Sequence, residues 1–380
     1  MTTNRWATHL YCSATGATAP LDEPAFLSPA GKPYLVHYEL DAERGAQLRA
    51  ALPTRPWTLW RYRELLPVRD AGSVVDLGEG GTPLLPLRRL APPGVEVQIK
   101  EEGGNPTGSF KARGLTMAVN RARELGAPGI ELASAGNAAL AIAAFGAAAG
   151  LPVRLALPVD TPSLIADRCR LHGAEVILAG ANLVESAARL AAEPKGYWNL
   201  STLREPYRVE GKKTMGLELA EQLGWTLPDW ILYPTGGGTG IVGMHKAFDE
   251  LERLGLIGPK RPRFVVVQMA GCAPMVRAFE RGDTHAEPWE NPQTKVWGLR
   301  VPRAVGDFLI LEALRATDGR ALAIEEDALP EKTAAAAREG LLIGPEGAAC
   351  LVALDRLAAA GEFRAGERVV VFQTGHPANY

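Results

Sequence analysis

Apolar and polar positions fall into two textures along this chain. Over residues 1–75 no period holds for long. Prolines interrupt it, and Trp6, Tyr11, Tyr34, Tyr38, Trp57, Trp60 and Tyr62 are scattered among polar residues. This stretch reads as short strands and loops with one helix near 41–51. From about Val95, short β-rich runs alternate with Ala- and Leu-rich stretches, which is the α/β pattern. Strands are predicted at 95–100, 129–133, 153–157, 175–178, 230–233, 264–269 and 368–373. Helices are predicted at 112–124, 137–149, 162–172, 183–192 and 213–223, from the end of a glycine-rich loop to 254, and at 274–281, 306–316, 331–339 and 347–360. Gly150 ends the second of these. The run 264–269 is apolar throughout, as in a fully buried strand, and the polar, proline-bearing stretch 281–301 reads as a loop. Alternation on this scale implies parallel sheets with ligands at the carboxyl ends of the strands.

Composition narrows the class. A chain of 380 residues, 47% hydrophobic and 22% charged, is globular and long enough for two or three domains. Lys and Arg number 41 against 43 Asp and Glu, a formal charge of −2, which argues against electrostatic binding to nucleic acid or an acidic membrane. Cys12, Cys169, Cys272 and Cys350 form no CxxC, so neither a disulfide framework nor a four-cysteine metal site is expected. No apolar run reaches membrane-spanning length, and the first residues lack the basic and apolar regions of a signal peptide. A cytoplasmic protein is the expectation.

Three glycine-rich segments each follow a predicted strand. The first is Gly103-Gly104-Asn105-Pro106-Thr107-Gly108-Ser109-Phe110-Lys111. It departs from a P-loop, because Ser-Phe-Lys stands where Lys-Ser/Thr is needed. Lys111 enters a helix, whose positive end disfavours the ammonium and so helps the amine act as nucleophile or base. A surface lysine at a helix entry fits this segment equally well. The second is Pro234-Thr235-Gly236-Gly237-Gly238-Thr239-Gly240. Backbone N–H groups there can converge on a phosphate at a helix N-terminus. Gly238, Gly240 and Gly243 also match GxGxxG, but no acidic residue ends the next strand, so a dinucleotide is disfavoured. The third is Ser134-Ala135-Gly136-Asn137, with Ser134 a candidate helix cap and the turn suited to a carboxylate. A lysine, an anion cradle, a second anion site and an amide together suit pyridoxal phosphate better than ATP or NAD.

From about Asp76 to its end the chain resembles the fold-type II pyridoxal-phosphate enzymes, the tryptophan synthase β-like group. Gly108-Ser109-Phe110-Lys111, Ser134-Ala135-Gly136-Asn137, the loop 236–240 and Thr374-Gly375-His376 occur in the family's order. Within that group it is most similar to the threonine synthases, through Leu77-Gly78-Glu79-Gly80-Gly81-Thr82-Pro83-Leu84 and Tyr207-Arg208-Val209-Glu210-Gly211-Lys212-Lys213-Thr214. The resemblance implies an α/β fold of two open, twisted parallel-sheet domains with the cofactor between them and an irregular, short-strand N-terminal extension. It implies an extension at 1–75, a large domain at 76–112 and 213–380, and a small mobile domain at 113–212. The extension resembles a degenerate zinc ribbon in which only Cys12 remains, so no metal is expected.

The implied roles are specific. Lys111 would hold the cofactor as a Schiff base and move the Cα proton. Phe110 would pack beside the cofactor, Asn137 would hydrogen-bond its phenolic oxygen, and Gly236, Gly237, Gly238, Thr239 and Gly240 would hold its phosphate. Thr374 would face the pyridine nitrogen, where a hydroxyl makes a tempered electron sink. Ser134, Ala135, Gly136 and Asn137 would bind the substrate carboxylate, and Arg113, Arg208 and Lys212 are anion-binding candidates; a solvated helix face suits these three cations equally.

The implied reaction converts O-phospho-L-homoserine and water to threonine and phosphate in a homodimer. Ala112, Ala135, Ala138 and Glu205 depart from the threonine synthase pattern, and Lys-Ala-Arg-Gly resembles the dehydratases, so β-elimination or β-replacement on another amino acid is the alternative. A non-catalytic binding module has no need of Lys111 and Thr374.

Overall fold

A computed structural model describes residues 6–70, 72–134 and 136–380. In chain order the elements are β1 (Ala7–Cys12), β2 (Thr18–Pro20), β3 (Tyr34–Tyr38), α1 (Ala42–Ala51), β4 (Leu84–Leu87), β5 (Glu96–Glu101), α2 (Lys111–Glu124), β6 (Ile130–Ala133), α3 (Asn137–Ala149), β7 (Val153–Leu157), α4 (Ser163–Leu171), β8 (Glu175–Leu178), α5 (Leu183–Ala192), β9 (Trp198–Asn199), α6 (Tyr207–Gln222), β10 (Trp230–Pro234), α7 (Thr239–Arg253), β11 (Arg263–Met269), α8 (Pro274–Arg281), α9 (Asp307–Ala316), β12 (Arg320–Ile324), α10 (Leu329–Arg338), α11 (Pro345–Ala359) and β13 (Arg368–Gln373). The chain divides into two compact units. One comprises Met1–Gly81, Asn105–Thr107 and Lys111–Thr214; the other comprises Thr82–Gly104, Gly108–Phe110 and Met215–Tyr380.

The first unit holds two sheets. β2-β1-β3 is antiparallel, and β8-β7-β6-β9 is parallel throughout. Every residue of β7 is buried, as expected for a strand covered on both faces. Nine consecutive residues of α3, Ala138 to Gly146, are buried, and alanine is what permits such close approach. The second unit is built on a six-stranded sheet in the order β12-β11-β10-β13-β5-β4. Trp230, Leu232, Val265, Val267, Val369 and Val371 pack in one core with Leu351 and Leu354 of α11. All of its pairings are parallel except that of β4 with β5. Among the described residues no helix is long and apolar enough to cross a membrane.

Several expectations need correction. β4 and β12 are strands where none was predicted. Both are edge strands: Pro86 within β4 is tolerated only at an edge, and four of the five residues of β12 are partly exposed, which weakens the apolar signal. β4 also runs antiparallel in a sheet expected to be parallel. α6 begins at Tyr207 rather than 213, because the Glu205 carboxylate accepts the N–H groups of Tyr207 at 2.7 Å and Arg208 at 3.1 Å and so starts the helix.

Candidate functional site

The second unit carries the anion cradle. β10 ends at Pro234, and the Thr235 N–H donates to the Val267 carbonyl at 2.8 Å. Gln268 Nε2 donates to the Thr235 carbonyl at 3.0 Å, so the loop leaves the sheet in one fixed direction. Gly238 caps α7 with φ of +75°, and no side chain bonds to the helix's first turn. The N–H groups of Thr239 and Gly240 therefore face whatever lies ahead of the helix. A Cβ on Gly236 would lie 2.6 Å from the Gly298 carbonyl oxygen, one on Gly238 would overlap Ile310, and one on Gly240 would overlap the Tyr233 phenol. The glycines are thus required by packing as well as by any ligand. Of the GxGxxG positions, Gly240 and Gly243 lie inside α7, which leaves no dinucleotide loop.

The lysine-bearing segment is joined to the chain's last motif by backbone. Ser109 pairs antiparallel with Gly375, the Phe110 N–H donates to the Thr374 carbonyl at 3.0 Å, and the His376 N–H donates to the Gly108 carbonyl at 2.8 Å. Phe110 meets the Tyr233 ring edge-on, at 6.0 Å between centroids. The cradle, Phe110 and Thr374 therefore belong to one packed assembly at the carboxyl ends of β10 and β13. Thr374 is buried. Glu101, at the end of β5, accepts the Gly103 N–H at 2.7 Å. Burial pushes its carboxyl up to about 7, the N–H opposes this, and the neighbouring Glu102 adds to it. A buried cluster adjoins it: the Lys100 ammonium is ion-paired with Glu218 and donates to the Thr82 carbonyl at 2.8 Å.

The first unit carries the lysine. Lys111 opens α2 and is half-buried. α3 opens at Asn137 with Gly136 as its cap and no side-chain cap bond. Ser134 Oγ accepts the Gly136 N–H at 3.4 Å, so Ser134 does not cap the helix as expected. Ala135 lies outside the described residues.

α2 and α6 meet at glycine. A Cβ on Gly211 would overlap the Arg113 carbonyl, and one on Gly114 would lie 2.9 Å from both the Arg208 carbonyl oxygen and Lys212 Cε. This crossing gathers Arg113, Arg208 and Lys212, all fully or almost fully buried. A solvated helix face is thereby excluded for each. Arg113 Nη1 reaches Thr214 Oγ1 at 3.1 Å, and Arg208 Nη1 donates to the Leu200 carbonyl at 2.7 Å. Burial pushes the Glu205 carboxyl up to about 7, against the pull of the Arg208 charge and two backbone N–H groups.

No motif marks Glu346, a buried carboxylate in the first turn of α11, or Glu101. In sequence, Gly344-Pro345-Glu346 reads only as a helix start. Among the described residues no group of three or more His, Cys, Asp or Glu is arranged to hold a metal ion. In the N-terminal sheet Cys12 Sγ donates instead to Ser28 Oγ, at 3.2 Å.

Comparison with known proteins finds a family model and relatives that match most of the chain. Residues 75–375 match the family model described as pyridoxal-phosphate dependent enzyme. A threonine synthase of Methanocaldococcus jannaschii is 33% identical over 371 residues, covering 96% of this chain and 91% of that one. One of Methanosarcina acetivorans is 37% identical over 332 residues, covering 86% and 81%. The solved structure of maize serine racemase superposes with a TM-score of 0.67 at 19% identity, over 90% of this chain and 94% of the other, a likeness of fold.

Proposed function

The chain belongs to the pyridoxal-phosphate dependent enzymes, and from that premise we propose that it is a threonine synthase, acting on O-phospho-L-homoserine and water to release L-threonine and phosphate. The observation that carries this reading is the α2–α6 crossing, where Arg113, Arg208 and Lys212 are buried together on the helix that opens with Lys111 and the helix that opens with Tyr207-Arg208. Three buried cations suit a substrate with a dianionic group.

Pyridoxal phosphate fits the residues present: glycines at 236, 238 and 240 hold backbone N–H groups at the start of α7 with no room for side chains. When bound, the group supplies an aldehyde for an amine to capture and a ring that accepts an electron pair. The chain's own residues do the rest. The N–H groups of Gly236 to Gly240 would hold its phosphate. Lys111 Nζ would be the amine that holds the aldehyde and the base at the substrate's Cα proton; its place at the first turn of α2 favours the neutral amine. The turn at Ser134, Ala135, Gly136 and Asn137 would receive the substrate carboxylate, and the Asn137 amide would orient the cofactor. Thr374 would be the hydroxyl partner of the ring, and Phe110, packed edge-on against Tyr233, would pack beside it.

One feature favours a second reading, β-elimination or β-replacement on another amino acid. Glu205 places a carboxylate on the N–H groups that open α6 and beside Arg208, where it competes with a substrate phosphate. A phosphate-release assay with O-phospho-L-homoserine decides, with Lys111→Ala as blank. Phosphate and threonine in equal amounts support the synthase. No phosphate, with absorbance changes on adding other amino acids, overturns it in favour of the second reading. The family also supports a cytoplasmic homodimer, which light scattering checks for the oligomer.

A further inference from the structure

An acid already occupies the start of α6. Glu205 is 2% exposed, and its Oε2 accepts the N–H groups of Tyr207 at 2.7 Å and Arg208 at 3.1 Å. Its other oxygen, Oε1, reaches the Arg208 N–H only at 3.3 Å. These N–H groups open a 16-residue helix, the kind of end that a ligand anion takes. The loop that delivers the acid is held firmly, since buried Leu203 within it keeps a φ of +57°.

Arg208 is as enclosed as Glu205. Its Nη1 donates to the Leu200 carbonyl at 2.7 Å, and its Nε–H is buried with no hydrogen-bond partner. A guanidinium keeps its charge, so a buried N–H left over on it calls for an acceptor. Glu205 does not supply one, because its hydrogen bonds go to backbone. Arg113, whose Nη1 reaches Thr214 Oγ1 at 3.1 Å, and Lys212 are buried at the same crossing. Three buried cations and one buried acid leave the crossing with an excess of positive charge.

The other titratable groups around Glu205 keep one form near neutrality. Burial pushes the Tyr207 phenol up, with the Arg121 charge of α2 opposing, and a hydrogen bond from Arg69 holds the Asp22 carboxyl down. Glu205, by contrast, is poised near neutrality: burial pushes it up to about 7, against the Arg208 charge and two N–H groups.

We propose that Glu205 is a specificity-determining residue that takes up a proton when a dianionic group binds beside Arg208. The proton comes from solvent and forms an O–H bond at Oε1, since Oε2 already accepts two N–H groups. The neutral acid no longer repels the anion and keeps the bonds that open α6. A substrate with an uncharged side chain needs no such proton. Glu205 therefore favours a phosphate-bearing substrate at low pH and an uncharged one at high pH. The inference rests on the reading that the substrate's phosphate is received at the α2–α6 crossing.

The test titrates the full-length, cofactor-loaded enzyme with sulfate by calorimetry, at constant ionic strength between pH 6.5 and 9. Sulfate is a dianion with no proton of its own in that range, and the loaded cofactor keeps it out of the phosphate cradle. Wild-type affinity should fall with pH, approaching tenfold per unit above about 7, and binding at pH 8 should draw about one proton from the buffer. Glu205→Gln should hold the affinity that the wild type reaches at the lowest pH across the whole range, and draw no proton. A wild-type affinity that ignores pH, or no sulfate binding, overturns the inference without any variant, which covers a Glu205→Gln protein that does not fold. An equal pH dependence in the two proteins overturns it as well, and so does an unchanged affinity in Arg208→Gln, which places the sulfate elsewhere. A pH-dependent sulfate site without phosphate release from O-phospho-L-homoserine overturns the synthase and keeps the inference; phosphate release with a sulfate affinity that ignores pH does the reverse.

Discussion

The Tyr38 hydroxyl donates to Glu210 Oε2 at 2.9 Å, and so ties the N-terminal sheet to α6. The same carboxylate oxygen lies 2.6 Å from Lys213 Nζ, and that ammonium sits 3.9 Å from the centroid of the Tyr38 ring. All three side chains are buried. A buried ion pair by itself is a weak source of stability, because desolvation offsets attraction. The tyrosine adds a hydrogen bond and a ring face, so the pair is lodged only where the N-terminal strand β3 is in place. Residues 1–75 are therefore part of the unit that carries Lys111.

Tyr38→Phe removes the hydroxyl and leaves the ring. The expected loss of stability is about 1–3 kcal/mol, read from urea unfolding. Because Arg208 and Lys212 flank Glu210 on α6, KM for the anionic substrate should rise with it. An unchanged midpoint and an unchanged KM would remove the anchoring role.

Glu205 makes stability depend on pH. Folded, it keeps its proton up to about 7; its usual value is 4.5. Its contribution is therefore fully present below about pH 4.5 and is lost as pH rises through 7, at up to ~1.4 kcal/mol per pH unit. Glu101, also raised to about 7, adds a slope of the same sign. Denaturation midpoints measured between pH 4.5 and 7.5 should fall less steeply for Glu205→Gln than for the wild type. Parallel profiles would show that Glu205 is ionised throughout.

Gly238→Ala places a methyl group against Ile310 at a φ of +75°, where an L-residue is strained. The loop must shift, and cofactor affinity measured by absorbance titration should fall at least about tenfold, the equivalent of ~1.4 kcal/mol. Gly258→Ala, where a Cβ meets nothing within 4 Å and φ is not positive, serves as the control and should leave affinity unchanged.

Dialysis against a strong chelator should leave the melting temperature and activity as they were. Cys12 is hydrogen-bonded to Ser28, and no second cysteine stands near it in sequence. A fall in either quantity, restored by one metal ion, would contradict this.

The residue pattern by itself determined the parts of this protein that are local. Strands β7 and β8 and helices α5 and α8 carry the ends expected from periodicity and capping, because apolar spacing and turn residues act over a few positions. The same holds for the order of glycine loops after strands, on which the family resemblance rests. The tertiary structure alone decided what depends on residues far apart in the chain. β4 and β12 are strands because a neighbour lends them hydrogen bonds, not because their own residues demand it. Arg113, Arg208 and Lys212 looked equally like solvated charges, and only the glycine-to-glycine crossing of α2 and α6 buries them. Glu346 shows the limit most plainly. Its carboxylate borders Gly298, 48 positions away in the chain, and no local window of the sequence contains that juxtaposition.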